Sequence, residues 1–204
     1  SCNLPFHLEI LRPARDVVIA AGYRLIGATP EREPMSSVAN LRELFLDEVK
    51  DLLNAERQLV MALPKMIHAA TSVPLKDALA SHLKETEGHI DRMEQILTDL
   101  GESPRGKKCK GMEGILEEGS EMLSHVEMPA LDAAIVSTGQ RVAHYEISGY
   151  GVIQDWAKTL GYRSAEKLIV KSLEEALATT ERLSALAKGG INTTASAGEG
   201  IPVR

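Results

Sequence analysis

The chain has 204 residues, 44% hydrophobic, 25% charged and only 3% aromatic, with a formal net charge of −6. That is enough apolar material for one folded domain with a real core, and the acidic balance argues against nucleic acid or an anionic membrane as the main partner. Cys2 and Cys109 form neither a disulfide framework nor a zinc-type spacing, so a reducing, cytoplasmic location is expected.

Residues 1–37 combine prolines and arginines with no sustained period, and are expected to be a poorly ordered extension or leader ahead of the main domain. Their longest apolar run, Val17 to Gly22, is flanked by Arg15, Asp16 and Arg24, too short and too charged at its edges for a signal or a membrane span. From residue 38 the pattern changes. Apolar residues recur every three or four positions from about Asn40 to Ala70, through Phe45, Leu52, Leu59, Leu63 and Met66, which predicts a long helix with a kink near Pro64. Ser72 then offers a cap for a second helix, about Leu75 to Leu100, stopped by Gly101.

A long connection follows, with a basic loop from Pro104 to Lys110 and a short amphipathic helix turning Ile115, Leu116, Met122, Leu123 and Val126 inward. Lysines around Cys109 would lower its thiol pKa, though no histidine partner is evident. A third long helix is predicted from Pro129 to about Leu160, and a fourth, capped by Ser164, to about Lys188. Residues 189–204, rich in Gly, Thr and Ala, are expected to be a flexible tail. Two tight hairpins joined by one long crossover describe an all-α, ferritin-like four-helix bundle with a short fifth helix in the crossover, over residues 38–188.

The two hairpins carry the same measurement. Glu56 and Glu85 stand 29 residues apart, as do Glu146 and Glu175, and a shift of 90 residues lays one pair on the other. Leu52 then lands on Val142, Leu63 on Ile153, Leu79 on Ile169 and Leu83 on Leu173. Counted from each turn, at a rise of ~1.5 Å per residue, all four glutamates fall within about one helical turn of a common depth. Four carboxylates converging in a core must be neutralised by protons or cations. Four glutamates would balance two divalent ions, and oxygen ligands with an imidazole suit iron or manganese. The expected centre therefore uses Glu56, Glu85, Glu146 and Glu175 around two iron or manganese ions, with His89 as a further ligand and His82 as its rival or supporting partner. The usual Glu-x-x-His pairing is missing: position 88 is glycine, and Ala178 and Thr179 stand at the equivalent place on the fourth helix. His144 is expected to point away from Glu146, and Glu87 and Glu174 to face solvent.

The runs Asn54-Ala-Glu-Arg-Gln-Leu59, His82-Leu-Lys-Glu-Thr-Glu-Gly88, Lys107-Lys-Cys-Lys-Gly-Met-Glu-Gly114, His144-Tyr-Glu-Ile-Ser-Gly-Tyr-Gly151 and Leu173-Glu-Glu175 carry a resemblance. Over about residues 38–188 the chain is similar to the YciE/YciF-type stress proteins. That resemblance implies a ferritin-like bundle, often dimeric, with a rubrerythrin-like di-metal site on the same four glutamates, association with bacterial stress, and no settled reaction. A homodimer would draw on spare apolar surface such as Ile115, Met122 and Ile135. The competing expectation is a structural or interaction protein whose metal site is vestigial or only stabilising.

Overall fold

The computed structural model describes residues 38–105 and 107–197; the extension expected at residues 1–37 lies outside them. Helix α1 spans Leu41–Ala69 and α2 Val73–Asp99, followed by α3 Lys110–His125, α4 Leu131–Leu160, α5 Arg163–Leu186 and a short α6 Asn192–Ser196. No described helix is long and apolar enough to cross a membrane.

Local chemistry sets each boundary. Asn40 accepts from the Glu43 amide at 3.0 Å while Glu43 reaches back to the Ala39 amide at 2.7 Å, a reciprocal cap for α1. Gly101 (φ 77°) and Gly161 (φ 74°) end α2 and α4 in the left-handed conformation that glycine adopts without strain. Two expected caps do not form. Ser72 does precede α2, but its side chain makes no capping bond. Instead Asp132, near the start of α4, accepts from the Thr71 amide at 2.8 Å, the Ser72 amide at 2.9 Å and the Thr71 hydroxyl at 2.7 Å. Ser164 lies inside α5, which begins a residue earlier after Tyr162.

α1 pairs with α2 and α4 with α5; α2 then packs on α5 and α1 on α4, closing a four-helix bundle with α3 laid across α1 and α4. The contacts of Asp132 place the start of α4 beside the α1–α2 turn. Phe45 and Tyr162, with ring centroids 5.6 Å apart, place the α4–α5 turn at the opposite end. The crossover therefore returns the chain along the bundle before the second hairpin begins. The 90-residue repeat is visible in burial: Leu75, Leu79, His82, Thr86, His89 and Met93 of α2 are buried, and so are Ala165, Ile169, Ser172, Ala176, Thr179 and Leu183 of α5.

The crossover is tied down at Cys109. Its amide donates to Asn54 Oδ1 at 2.7 Å, and its carbonyl accepts from Gln58 at 2.9 Å. Tyr145 OH sits 2.9 Å from the sulfur and donates to Asp51 at 3.1 Å. Burial, seconded by Asp51, pushes the thiol pKa up, so the lowering expected from the basic loop does not occur. Two further sequence expectations change. Past Gly189 the chain does not loosen at once: Gly190 (φ 149°) bends it, Ile191 is buried, and α6 follows to Ser196, with residues 198–204 outside those described. Ile135, offered as spare surface for a dimer, is fully buried in the core.

Close approach of α1 to α4 depends on Gly149, where a Cβ would lie 2.5 Å from Leu52 Cδ2. Leu52 is itself buried, so it has little room to yield. Gly149→Val is expected to destabilise the fold by about 1–3 kcal/mol in urea unfolding. Gly151→Ala, with nothing within 4 Å of the added carbon, is expected to stabilise it by about 0.5–1 kcal/mol through helix propensity.

Candidate metal centre

The core is two apolar clusters, one around Leu59, Leu79, Met112 and Ile135, the other around Phe45, Leu53, Met93 and Ile153. Between them lies a polar layer. α1 contributes Glu56, α2 contributes His82, Thr86 and His89, α4 contributes Glu146, and α5 contributes Ser172 and Thr179; all are buried. Helical periodicity turns these polar side chains inward because they occupy the same stripes as their apolar neighbours.

Glu56, His89 and Glu146 meet at the centre, each offering a ligand atom within 4.8 Å of the others. His89 Nδ1 stands 3.4 Å from both Glu56 Oε2 and Glu146 Oε1, and its Nε2 is 3.2 Å from Glu175 Oε2. At 3.4 Å these are charge contacts more than formed hydrogen bonds. Tyr150 OH donates to the other oxygen of Glu56 at 2.5 Å, and its ring meets the His89 ring edge-on at 5.3 Å. His82 Nε2 donates to Glu146 Oε2 at 3.1 Å.

The outer glutamates are held differently. Glu85 accepts from Arg182 at 2.5 Å and from Thr179 Oγ1 at 3.0 Å, and Arg182 also reaches Thr179 Oγ1 at 2.6 Å. Glu175 is paired with Arg92, whose Nε donates to Ser172 Oγ at 2.8 Å. The structure thus gathers Glu56, His89 and Glu146, places Glu175 against the far side of His89, and sets Glu85 outside the cluster in an arginine pair. His144 is exposed and bonds the Gln140 carbonyl at 2.8 Å, and Glu87 and Glu174 are exposed, as their helix positions required.

Sequence reasoning passed over Tyr150, Arg92 and Arg182. Tyr150 sits four residues after Glu146 on the same face. Arg92 and Arg182 are themselves related by the 90-residue shift that reveals the glutamates, and applying that shift to basic residues would have found them.

The electrostatics are strongly coupled. Burial, reinforced by repulsion from Glu146, raises the pKa of Glu56 against the pull of His89 and Tyr150. Burial also disfavours ionised Glu146, but attraction to His82, then contact with His89, outweighs it and pushes the carboxyl down to about 2. For His89, burial opposes the charged ring, yet Glu56, followed by contact with Glu146, raises its pKa to about 10. His82 is raised as well, burial being outweighed by Glu146. The layer can thus neutralise itself with protons, and three of its side chains are placed where they could hold a cation. Among the described residues, Glu56 Oε2, Glu146 Oε1 and both His89 ring nitrogens have no formed hydrogen bond. Two carboxylate oxygens and an imidazole nitrogen suit a fairly hard divalent ion such as iron or manganese.

The comparisons with known proteins agree with this architecture. Residues 40–196 match the family model "Domain of unknown function (DUF892)". The chain belongs to the DUF892 family. It is 36% identical over 161 residues to Protein YciF of Escherichia coli strain K12, covering 78% of this chain and 97% of that protein. The crystal structure of the E. coli stress protein YciF matches with a TM-score of 0.72 over 76% of this chain and 99% of that one. YcfI from Rhodopseudomonas palustris, which carries a provisional description as a structural protein, matches at 36% identity, TM-score 0.71, over 73% and 96% of the two chains. The helical bundle of this DUF892 protein is therefore the fold of its relatives, and the polar layer lies within the matched region.

The metal-free layer has a defined pH signature. His89, raised from an ordinary 6.5 to about 10, contributes stability that is full below 6.5 and lost as pH climbs to 10. Glu56, raised from 4.5, likewise loses stability as pH rises, whereas Glu146, lowered from 4.5, loses it as pH falls toward 2. Metal-free protein is expected to melt highest in the weakly acidic range and progressively lower from pH 6.5 to 10. His89→Gln should flatten that alkaline decline in thermal melts.

Proposed function

We propose that this protein is a stress-associated, ferritin-like metal protein that binds iron or manganese on Glu56, His89 and Glu146 and uses it on iron, peroxide or oxygen. The observation that carries this reading is the convergence of three ligand-type side chains from three helices, all fully buried and within 4.8 Å. When bound, such an ion supplies Lewis acidity and a redox couple. The protein's own part is positional. Tyr150 fixes the rotamer of Glu56 through one carboxylate oxygen, leaving the other turned to the centre. His82 does the same for Glu146 and holds its proton at Nε2. The apolar clusters on either side keep bulk water from the layer. Because ligands must shed protons to bind a cation, affinity should rise with pH across the range in which His89 and Glu56 titrate.

A second reading is favoured by a specific feature: the histidines already offset the central carboxylates without any metal. On that reading the layer is a protonated structural element, in keeping with the description attached to the R. palustris relative.

Elemental analysis of protein purified without chelators or an affinity metal separates the two. Bound iron or manganese that disappears in Glu146→Gln and Glu56→Gln, together with loss of ferrous oxidation or peroxide consumption, is the expected result. No bound metal, and no rise in melting temperature on adding ferrous or manganous ion, would leave the structural reading in its place.

A further inference from the structure

The two arginines alter the charge balance of the centre, and with it the number of ions that it can hold. Arg92 and Arg182 are equivalent under the 90-residue repeat, and so are Glu85 and Glu175. Their pairing crosses between hairpins: Arg92 of α2 holds Glu175 of α5, and Arg182 of α5 holds Glu85 of α2. Each arginine is further placed by a small hydroxyl of α5, Ser172 for Arg92 and Thr179 for Arg182. We infer that Arg92 and Arg182 lock the two outer glutamates away from metal, so that the centre takes one tightly bound divalent ion, on Glu56, His89 and Glu146. This inference rests on the metal-binding reading above.

Charge and geometry support it independently. Four glutamates alone would match two divalent ions. An arginine stays protonated under all ordinary conditions, so Glu85 and Glu175 are already neutralised. With metal-binding histidines neutral, Glu56 and Glu146 supply the charge for a single divalent ion. The orientation of His89 agrees. Its Nδ1 faces Glu56 and Glu146, while Nε2 faces Glu175 at 3.2 Å. A ligating histidine commonly gives its other ring proton to a carboxylate, which fixes the tautomer and aims the ligand nitrogen. Glu175 stands where that supporting carboxylate belongs, with Arg92 holding it there. Among the described residues the Glu85 carboxylate makes no hydrogen bond or ion pair with His89, Glu56 or Glu146; its partners are Thr179 and Arg182.

The test is anaerobic titration with manganous ion, read by equilibrium dialysis with elemental analysis and by electron paramagnetic resonance, which distinguishes an isolated ion from a coupled pair. Wild-type protein should bind one tight ion per chain with an uncoupled signal. Arg92→Gln/Arg182→Gln should bind two with a coupled signal, whereas Arg92→Lys/Arg182→Lys, which keeps the charges, should stay at one. Circular dichroism confirms folding of each variant. Glu85→Gln in an otherwise wild-type chain gives a second readout that does not depend on the double variants: it should leave the single tight ion in place. Two ions in wild type, one in the folded glutamine double variant, or loss of an ion in Glu85→Gln would each overturn the inference while leaving metal binding intact. No manganese in either wild type or variants would instead overturn the metal-binding reading beneath it.

Discussion

Glu56 and Glu146 converge on one nitrogen of the His89 ring at the middle of the bundle, where all three side chains are fully buried. A carboxylate left alone at such a place costs several kcal/mol, and two would also repel. Much of the surrounding structure can be understood as meeting that cost. His82 and Tyr150 each occupy one oxygen of a central carboxylate. The arginines neutralise the outer pair before it can add to the central charge. Apolar packing above and below keeps the helices from sliding, since a slip of one turn would carry a charged group into hydrocarbon.

Holding four helices at one register needs links at both ends as well as in the middle. At one end Asp132 ties the start of α4 to the α1–α2 turn. At the other, Phe45 packs on Tyr162. Between them α3 is docked through Asn54, Gln58 and Cys109, with Tyr145 and Asp51 completing the contact. These residues account for several motifs that carry the family resemblance without being near a ligand atom. The Lys-Lys-Cys segment is the joint at which the crossover meets the bundle. Its buried thiol is held as an acceptor of the Met112 amide and a partner of Tyr145, an arrangement for docking and not for nucleophilic attack.

The helices and their partnership were legible because an inward stripe has a fixed period, and because a repeated spacing of 29 residues between glutamates is a geometric statement about depth. The same logic placed His144, Glu87 and Glu174 outward. What periodicity does not report is which of several inward groups a glutamate will choose. Glu85 and Glu175 have the depth of ligands, but whether they turn to the centre or to an arginine is decided by side-chain contacts between α2 and α5, and the spacing within one helix carries no trace of them. Caps were misplaced for a similar reason. Ser72 is a good local cap by type, but its side chain makes no capping bond, and Asp132, sixty residues away in sequence, instead holds the turn through the Thr71 and Ser72 amides that precede the helix. The polar tail looked loose by composition, yet one apolar residue, Ile191, is enough to draw a further turn onto the core.

The repeat is most informative where it fails. Backbone, burial and the arginine–glutamate pairs follow the 90-residue shift, so the scaffold is close to symmetric. The polar cluster at its centre is not. His89 corresponds to Thr179 and Tyr150 to Val60. An imidazole is long enough to touch Glu175 with one nitrogen while presenting the other to Glu56 and Glu146. A threonine hydroxyl, one bond from Cβ, meets Glu85 and Arg182 and neither central carboxylate. On the α5 side nothing among the described residues then bridges the outer carboxylate to the centre. A symmetric cage for two ions would need the second imidazole, or a free outer carboxylate in its place. With Thr179 and Arg182 both engaged on Glu85, the described residues offer neither, and a nearly symmetric bundle carries a one-sided polar cluster at its centre.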